Sequence, residues 1–311
     1  KVFMTKIALS VEKLTKIYTK KEKDHDIKAL NSISFNVKQG EIFGLLGPNG
    51  AGKTTFLNIL AGTVIKTNGK VDVWGFNLDE NPRQVRASIG IVPQEINLDA
   101  FFSPKMLLEL QAGLFGVKKS ERITKTILDL VSLEKQANSY SRNLSGGMKR
   151  RLLIAKAMVH QPPILVLDEP TAGVDVELRK NLWDNVKQLN DEGVTIILTT
   201  HYLFEAQEMC DRIAIINKGN LVALDTTQRL LDRSNTKKIQ FKVKNISNGK
   251  ELKFNNVKFF IDANIITASY DKSKCKFDDL FHYLKQNSLE ISDIVTEDAD
   301  LEDVFIQLTK S

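Results

Sequence analysis

Cysteine is almost missing from this chain: its 311 residues hold only Cys210 and Cys275. The two stand far apart with no CxxC spacing, which excludes a disulfide framework and a thiolate metal site and points to a reducing compartment. Long apolar runs are missing too. The longest, such as Ile89–Val92 and Ile164–Leu167, fall far short of the roughly 20 residues that cross a bilayer. No charged-then-apolar leader is found at the first residues, so the expected location is cytoplasmic. Charge of one sign is not concentrated anywhere. The net charge is +6, but Lys and Arg are mixed with acids, as in KKEKDHDIK (Lys20–Lys28). That stretch reads as a solvated loop, and no nucleic-acid partner is expected. No internal repeat is present either.

What the chain does hold is a regular series of short apolar runs. IALSVEKLTKIY (Ile7–Tyr18) and SISFNVKQGE (Ser32–Glu41) alternate as strands do, separated by a polar loop. VDVWG, SIGIVPQ, ILVLDEP, TIILTTH and RIAIINKG are further runs bounded by turn residues, with helical patterns such as VELRKNLWDNVKQLNDEG between them. This predicts an α/β fold with parallel strands in its core. Ser103–Asn143 carries helical periodicity and no clear strand; it reads as a helical subdomain, bounded at about 96–160. The composition turns polar at Leu231–Lys238, dividing a larger domain, 1–232, from a smaller one, 233–311. KIQFKVKN, VKFFIDANIITASY, FDDLFHYLKQNS, EISDIV and DLEDVFIQLTK then predict a small α/β accessory domain.

Three stretches carry chemistry. Gly47, Pro48, Asn49, Gly50, Ala51, Gly52, Lys53 and Thr54 fit G-x-x-x-x-G-K-[ST] between a strand and an amphipathic helix. Glycines there let backbone N–H groups turn inward around a phosphate, and the helix N-terminus adds its positive dipole end. Lys53 would reach the β- and γ-phosphates, Thr54 would ligate Mg²⁺ and Thr55 would bond the α-phosphate. ILVLDEP places Asp168 and Glu169 at a strand's carboxyl end, where ligands of open α/β sheets bind. By itself such a pair could merely close a strand. Beside a phosphate loop, Asp168 reads as a Mg²⁺ holder and Glu169 as the group that polarises the attacking water. The third stretch is NLSGGMKRR. Ser145, Gly146 and Gly147 open a second helix with free N–H groups, and Lys149, Arg150 and Arg151 crowd its first turn against the helix dipole. Either an anion or acids on a partner lie nearby, or this is an N-cap serine with a solvated basic turn.

Together these motifs closely resemble the ATP-binding subunit of an ABC transporter over roughly Ile7–Asp232. The signature LSGGQ of that family reads LSGGM here (Leu144–Met148), a form similar to that of ABC-2 type exporters. The resemblance implies a P-loop NTPase core of the ABC type with a helical subdomain. It further implies ATP and Mg²⁺ as ligands, with Thr54, Gln94 and Asp168 at the metal. Tyr18 matches the aromatic that stacks on adenine, Gln94 the glutamine that senses Mg²⁺ and the γ-phosphate, Asp175 the aspartate linking two sites, and His201 the switch histidine. Glu169, His201, Lys53 and Gln94 are thereby expected to be catalytic.

The same resemblance implies partners. Two subunits pair head to tail, so that the phosphate loop of one faces Ser145–Gly147 of the other. A separate transmembrane permease of the ABC-2 type would carry the cargo, docking near EINLDAFFSP (Glu95–Pro104) with Phe101 and Phe102 as candidate contacts. The subunit would then lie peripherally on the inner face of the cell membrane and power export. The tail DADLEDVFIQLT (Asp298–Thr309) resembles the ending of many ABC-2 exporter ATPases and would steady the dimer or regulate it. A ribosome-associated ABC ATPase is the alternative, but such factors usually carry two cassettes per chain.

Overall fold

A computed structural model of the chain describes residues 6–19, 26–172, 176–233, 236–244, 252–271, 274–297 and 300–309. They form two compact units, Lys1–Asp225 and Thr226–Ser311.

The first unit holds two sheets. One is antiparallel, in the order β2-β1-β4-β5, built from β1 (Ile7–Tyr18), β2 (Ile27–Lys38), β4 (Asn68–Val73) and the short β5 (Phe76–Asn77). The other has six strands in the order β10-β9-β3-β8-β7-β6. Its members are β3 (Ile42–Leu46), β6 (Ile89–Val92), β7 (Ile164–Asp168), β8 (Thr195–Thr200), β9 (Arg212–Asn217) and β10 (Asn220–Thr226). The central pairs β3–β8, β3–β9, β6–β7 and β7–β8 are all parallel. Every residue of β3 and β8, and Ile164–Leu167 of β7, is buried. Strands covered on both faces carry uncharged, mostly apolar side chains along their buried length, which is why these runs do not alternate.

Helices connect the strands: α1 (Lys53–Leu60), α2 (Pro82–Ala87), α3 (Pro104–Leu114), α4 (Thr124–Leu130), α5 (Gly146–Met158), α6 (Val176–Asp191) and α7 (Leu203–Met209). Between β6 and β7 the described chain is helix and 3₁₀ turn with no strand, as the periodicity of Ser103–Asn143 predicts. Ser103 and Ser145 cap α3 and α5 by accepting from Met106 and Met148 N–H groups, a contribution of about 1 kcal/mol each. Phe35, Phe43 and Phe56 stack between the sheets and α1 in one core with Leu45, Val71 and Val166.

The second unit opens with α8 (Thr227–Asp232), followed by a four-stranded sheet in the order β12-β13-β11-β14. Its strands are β11 (Thr236–Val243), β12 (Lys258–Asp262), β13 (Ile265–Asp271) and β14 (Ile291–Glu297). All three strand pairs are antiparallel. Two more helices, α9 (Phe277–Gln286) and α10 (Leu301–Thr309), complete it. Ile239, Phe241, Ile266 and Ala268 alternate inward and pack with Leu280 and Leu284 of α9, so this unit has a core of its own.

Candidate functional site

The carboxyl ends of β3, β7 and β8 open onto a cleft of about 960 Å³. Its walls are Asn49–Thr55, Gln94, Asp168, Glu169 and His201, together with Ile27, Lys28, Ala29 and Lys218. The sequence places the first group there. The second comes from the start of β2 and the β9–β10 turn, which only non-local pairing brings to the loop.

The loop after β3 is held by neighbouring backbone. The Gly219 N–H donates to the Ala51 carbonyl at 3.0 Å, and Ala51 N–H donates to Pro48 at 3.1 Å. A Cβ on Gly47 would lie 2.2 Å from the Ile216 carbonyl oxygen, and one on Gly52, whose φ is +114°, would lie 2.4 Å from that of Ala29. The expected reason for these glycines was room for a phosphate. The neighbouring strands β9 and β2 require them even with no ligand considered.

Lys53 is 7% exposed. Its ammonium donates to the carbonyls of Gly47 at 2.5 Å and Pro48 at 3.2 Å. Burial lowers its pKa, while the carboxylates of Glu169 and Asp168 act in the opposite direction. Gly47 and Pro48 thus serve the cleft through their carbonyls, not as part of its lining. Thr54 is exposed and Thr55 half-buried on the cleft wall.

Asp168 accepts a hydrogen bond from the Thr199 hydroxyl. Burial, reinforced by the charge of Glu169, raises its pKa, and Lys53 and Arg150 oppose this. Glu169 has φ +44°, a left-handed conformation unusual for a residue with a side chain. Its N–H donates to the Thr199 carbonyl at 3.0 Å. The turn aims its carboxylate at two groups from other elements: Gln94 Nε2 donates at 2.9 Å, and His201 Nδ1 lies at 3.1 Å. Glu169, Gln94 and His201 are therefore joined at one point although 75 and 32 residues separate them.

Oxygen donors suited to Mg²⁺ line the same cleft: the Thr54 hydroxyl, the Asp168 carboxylate and the Gln94 carboxamide. Among the described residues no cluster of three His, Cys, Asp or Glu could hold a metal by itself. That suits an ion bound through one carboxylate, phosphates and water.

Four expected residues lie elsewhere, and a fifth falls outside the described residues. Ser145, Gly146 and Gly147 begin α5, and none of them lines the cleft. Tyr18 is 37% exposed with the Lys16 ammonium 4.7 Å over its ring. It does not line the cleft, although its partner in the β1–β2 ladder, Ile27, does. Asp175 falls outside the described residues.

The basic turn of α5 has the expected N-cap serine, but its Arg150 is not solvated. Arg150 is 3% exposed and donates to the carbonyls of Pro93 and Gln94, each at 2.8 Å. Arg151 donates to the Val131 carbonyl at 2.8 Å. Backbone carbonyls of neighbouring segments thus hold both guanidinium groups. Sequence spacing gives no sign of this, because it does not say which face of α5 is covered.

Comparison with known proteins identifies the family. The profile of the family described as ABC transporter matches residues 30–172. The linearmycin resistance ATP-binding protein LnrL of Bacillus subtilis (strain 168) is 38% identical over 227 residues, covering 72% of this chain and 71% of the relative. Nod factor export ATP-binding protein I of Rhizobium sp. (strain N33) is 38% identical over 231 residues, covering 74% of each. Among solved structures, the ATP-binding cassette MJ0796, a dimer in a post-hydrolysis state with ADP and Pi, superposes with TM-score 0.62 at 28% identity, covering 70% of this chain and 98% of that one. CbiO1 of Clostridium perfringens, part of the cbiONQ transporter complex, gives 0.65 at 26% identity, covering 73% and 91%. With its phosphate loop, paired acids and LSGGM turn in one α/β core, this chain belongs to the ABC transporter family as an ATP-binding, ATP-hydrolysing subunit.

Proposed function

We propose that two copies of this subunit clamp ATP and Mg²⁺ head to tail and use its hydrolysis to drive export through a separate ABC-2 type permease. One observation carries the reading. The chain has one phosphate loop but two glycine turns that open helices, and the second, Ser145–Gly147, does not line the cleft, with Ser145 and Gly146 exposed. A second copy that brings its own Ser145 and Gly147 to the γ-phosphate would complete the site. The dimeric MJ0796 cassette with ADP and Pi supports this, and the names of the linearmycin resistance and Nod factor export proteins support export. Such a subunit would sit peripherally on the inner face of the membrane. No helix among the described residues is long and apolar enough to cross it.

Within the cleft, Lys53 would exchange its two loop carbonyls for phosphate oxygens, and backbone N–H groups of Gly50–Thr55 would surround the β-phosphate. Bound Mg²⁺ would neutralise charge developing on the phosphate oxygens, held by Thr54, Asp168 and Gln94. Glu169, released from Gln94 and His201 as these turn to the γ-phosphate, would orient the attacking water and accept its proton. Tyr18 would stack on adenine, and Asp175 would link the two sites.

The permease would dock on the helical subdomain. A groove of about 440 Å³ between α5 and the β6 end is lined by Ile89, Pro93, Asn97, Phe115 and His160. Phe101, 70% exposed, lies in the same subdomain, whereas Phe102 is half-buried. The second unit would steady or regulate the dimer.

The test is size-exclusion chromatography with Mg-ATP. Glu169→Gln should bind ATP, hydrolyse it at least 100-fold more slowly and elute as a dimer, while Lys53→Ala should lose nucleotide affinity. A Gln variant with parental hydrolysis would remove Glu169 as the base; one that binds ATP yet stays monomeric would remove the clamp.

A further inference from the structure

Arg150 stands out from the other cations of the first unit. It lies five residues after the Ser145 cap, its guanidinium is 3% exposed, and both terminal nitrogens donate at 2.8 Å to consecutive carbonyls, Pro93 and Gln94. Its Nε is buried without a partner. A buried cation costs several kcal/mol unless it is well compensated, and among the described residues Arg150 makes no salt bridge, its one carboxylate influence being the charge of Asp168. Stability alone would be served better by an apolar side chain at this position.

The carbonyls it grips belong to Pro93 and Gln94, and the Gln94 carboxamide donates to Glu169 across the cleft at 2.9 Å. The next residues, Glu95–Asn97, are exposed loop with no strand or helix to fix them. Two parallel donors from a planar fork fix both position and tilt of the peptide they bind, which one ammonium cannot do. We infer that Arg150 is a positioning residue: it locks the Pro93–Gln94 backbone so that the Gln94 carboxamide faces Glu169 and the γ-phosphate, and ties that loop to the helix that starts at Ser145–Gly147. The inference rests on the nucleotide reading of the cleft. It gives α5 two tasks, since any shift of Gln94 toward a phosphate pulls on the helix whose N-terminus meets the other copy.

The test compares Arg150→Lys and Arg150→Met, alone and with Gln94→Ala, in steady-state Mg-ATP hydrolysis and in Mg-ADP binding, which has no γ-phosphate to sense. Arg150→Met should lower kcat at least tenfold with KM and ADP affinity within about twofold of the parent. Arg150→Lys, with one donor group, should fall between them. Gln94→Ala with either substitution should be no slower than Gln94→Ala alone, because Arg150 acts through that residue. Parental kcat in Arg150→Met, or losses that multiply in the double variants, would overturn the inference. Should Arg150→Met fail to fold, Arg150→Lys decides: parental kcat there overturns it equally. A parent chain that takes up no Mg-ATP would instead overturn the nucleotide reading and this inference with it.

Discussion

At the scale of single residues, the glycines of the phosphate loop differ in what they do. Gly47 faces the Ile216 carbonyl so closely that a methyl group has no room, while a Cβ on Gly50 would meet nothing within 4 Å. Gly50 instead has φ +79°, so Ala there costs roughly 1–2 kcal/mol of backbone strain. Gly47→Ala must displace backbone of β9 and should cost more, about 3 kcal/mol, with at least tenfold weaker ATP binding. Urea unfolding and nucleotide titration of the two variants would separate the effects; equal losses would refute the distinction. The need for glycine at Gly47 is legible in the loop's spacing, whereas Gly50 falls on a position that the spacing leaves open. The cause at Gly47 is not legible, because Ile216 lies 169 residues away and meets the loop only when β3 pairs with β9. Thr199, whose hydroxyl holds Asp168, is hidden for the same reason: it closes the apolar run TIILTT and is legible only as strand.

Among the elements, those with an unbroken apolar pattern were the most legible. The parallel strands β3 and β7 are apolar up to their carboxyl ends because both faces are covered, and the glycine and acid signals there stand out against that background. Short or mixed elements were not legible. β10 buries only Ala223 fully, β5 has two residues, and α2 and α7 have six and seven, too few for a period to register. On α3, the exposed apolar residues are Met106, Leu110 and Leu114, four apart and hence on one face, with exposures of 51%, 51% and 73%. An apolar stripe open to solvent marks an interaction surface. Phe101→Ala with Leu110→Ala should abolish transport in vesicles holding the permease while leaving basal ATPase within twofold. Equal loss of both activities would mean that these side chains serve packing.

For the whole molecule, the two units have separate cores. Phe241 is wholly buried in the second, beside Leu280 and Leu284. Phe241→Ala should destabilise that unit by about 3–5 kcal/mol while ATP affinity stays within twofold, since every residue of the cleft belongs to the first unit. Calorimetry with nucleotide titration checks it, and a matching loss of ATP binding would contradict this independence. The sequence alone determined the chemistry in kind: a phosphate loop, two acids at a strand end, a second glycine turn opening a helix, each written in fewer than ten consecutive residues. Tertiary structure decided which groups meet. The joining of Gln94 and His201 at Glu169, the closure of the cleft by Ile27–Ala29 and Lys218, and the burial of Arg150 against the Gln94 loop all depend on contacts between distant segments. A linear pattern records what each segment can form, whereas the partner it meets is fixed only when the sheet chooses its strand order.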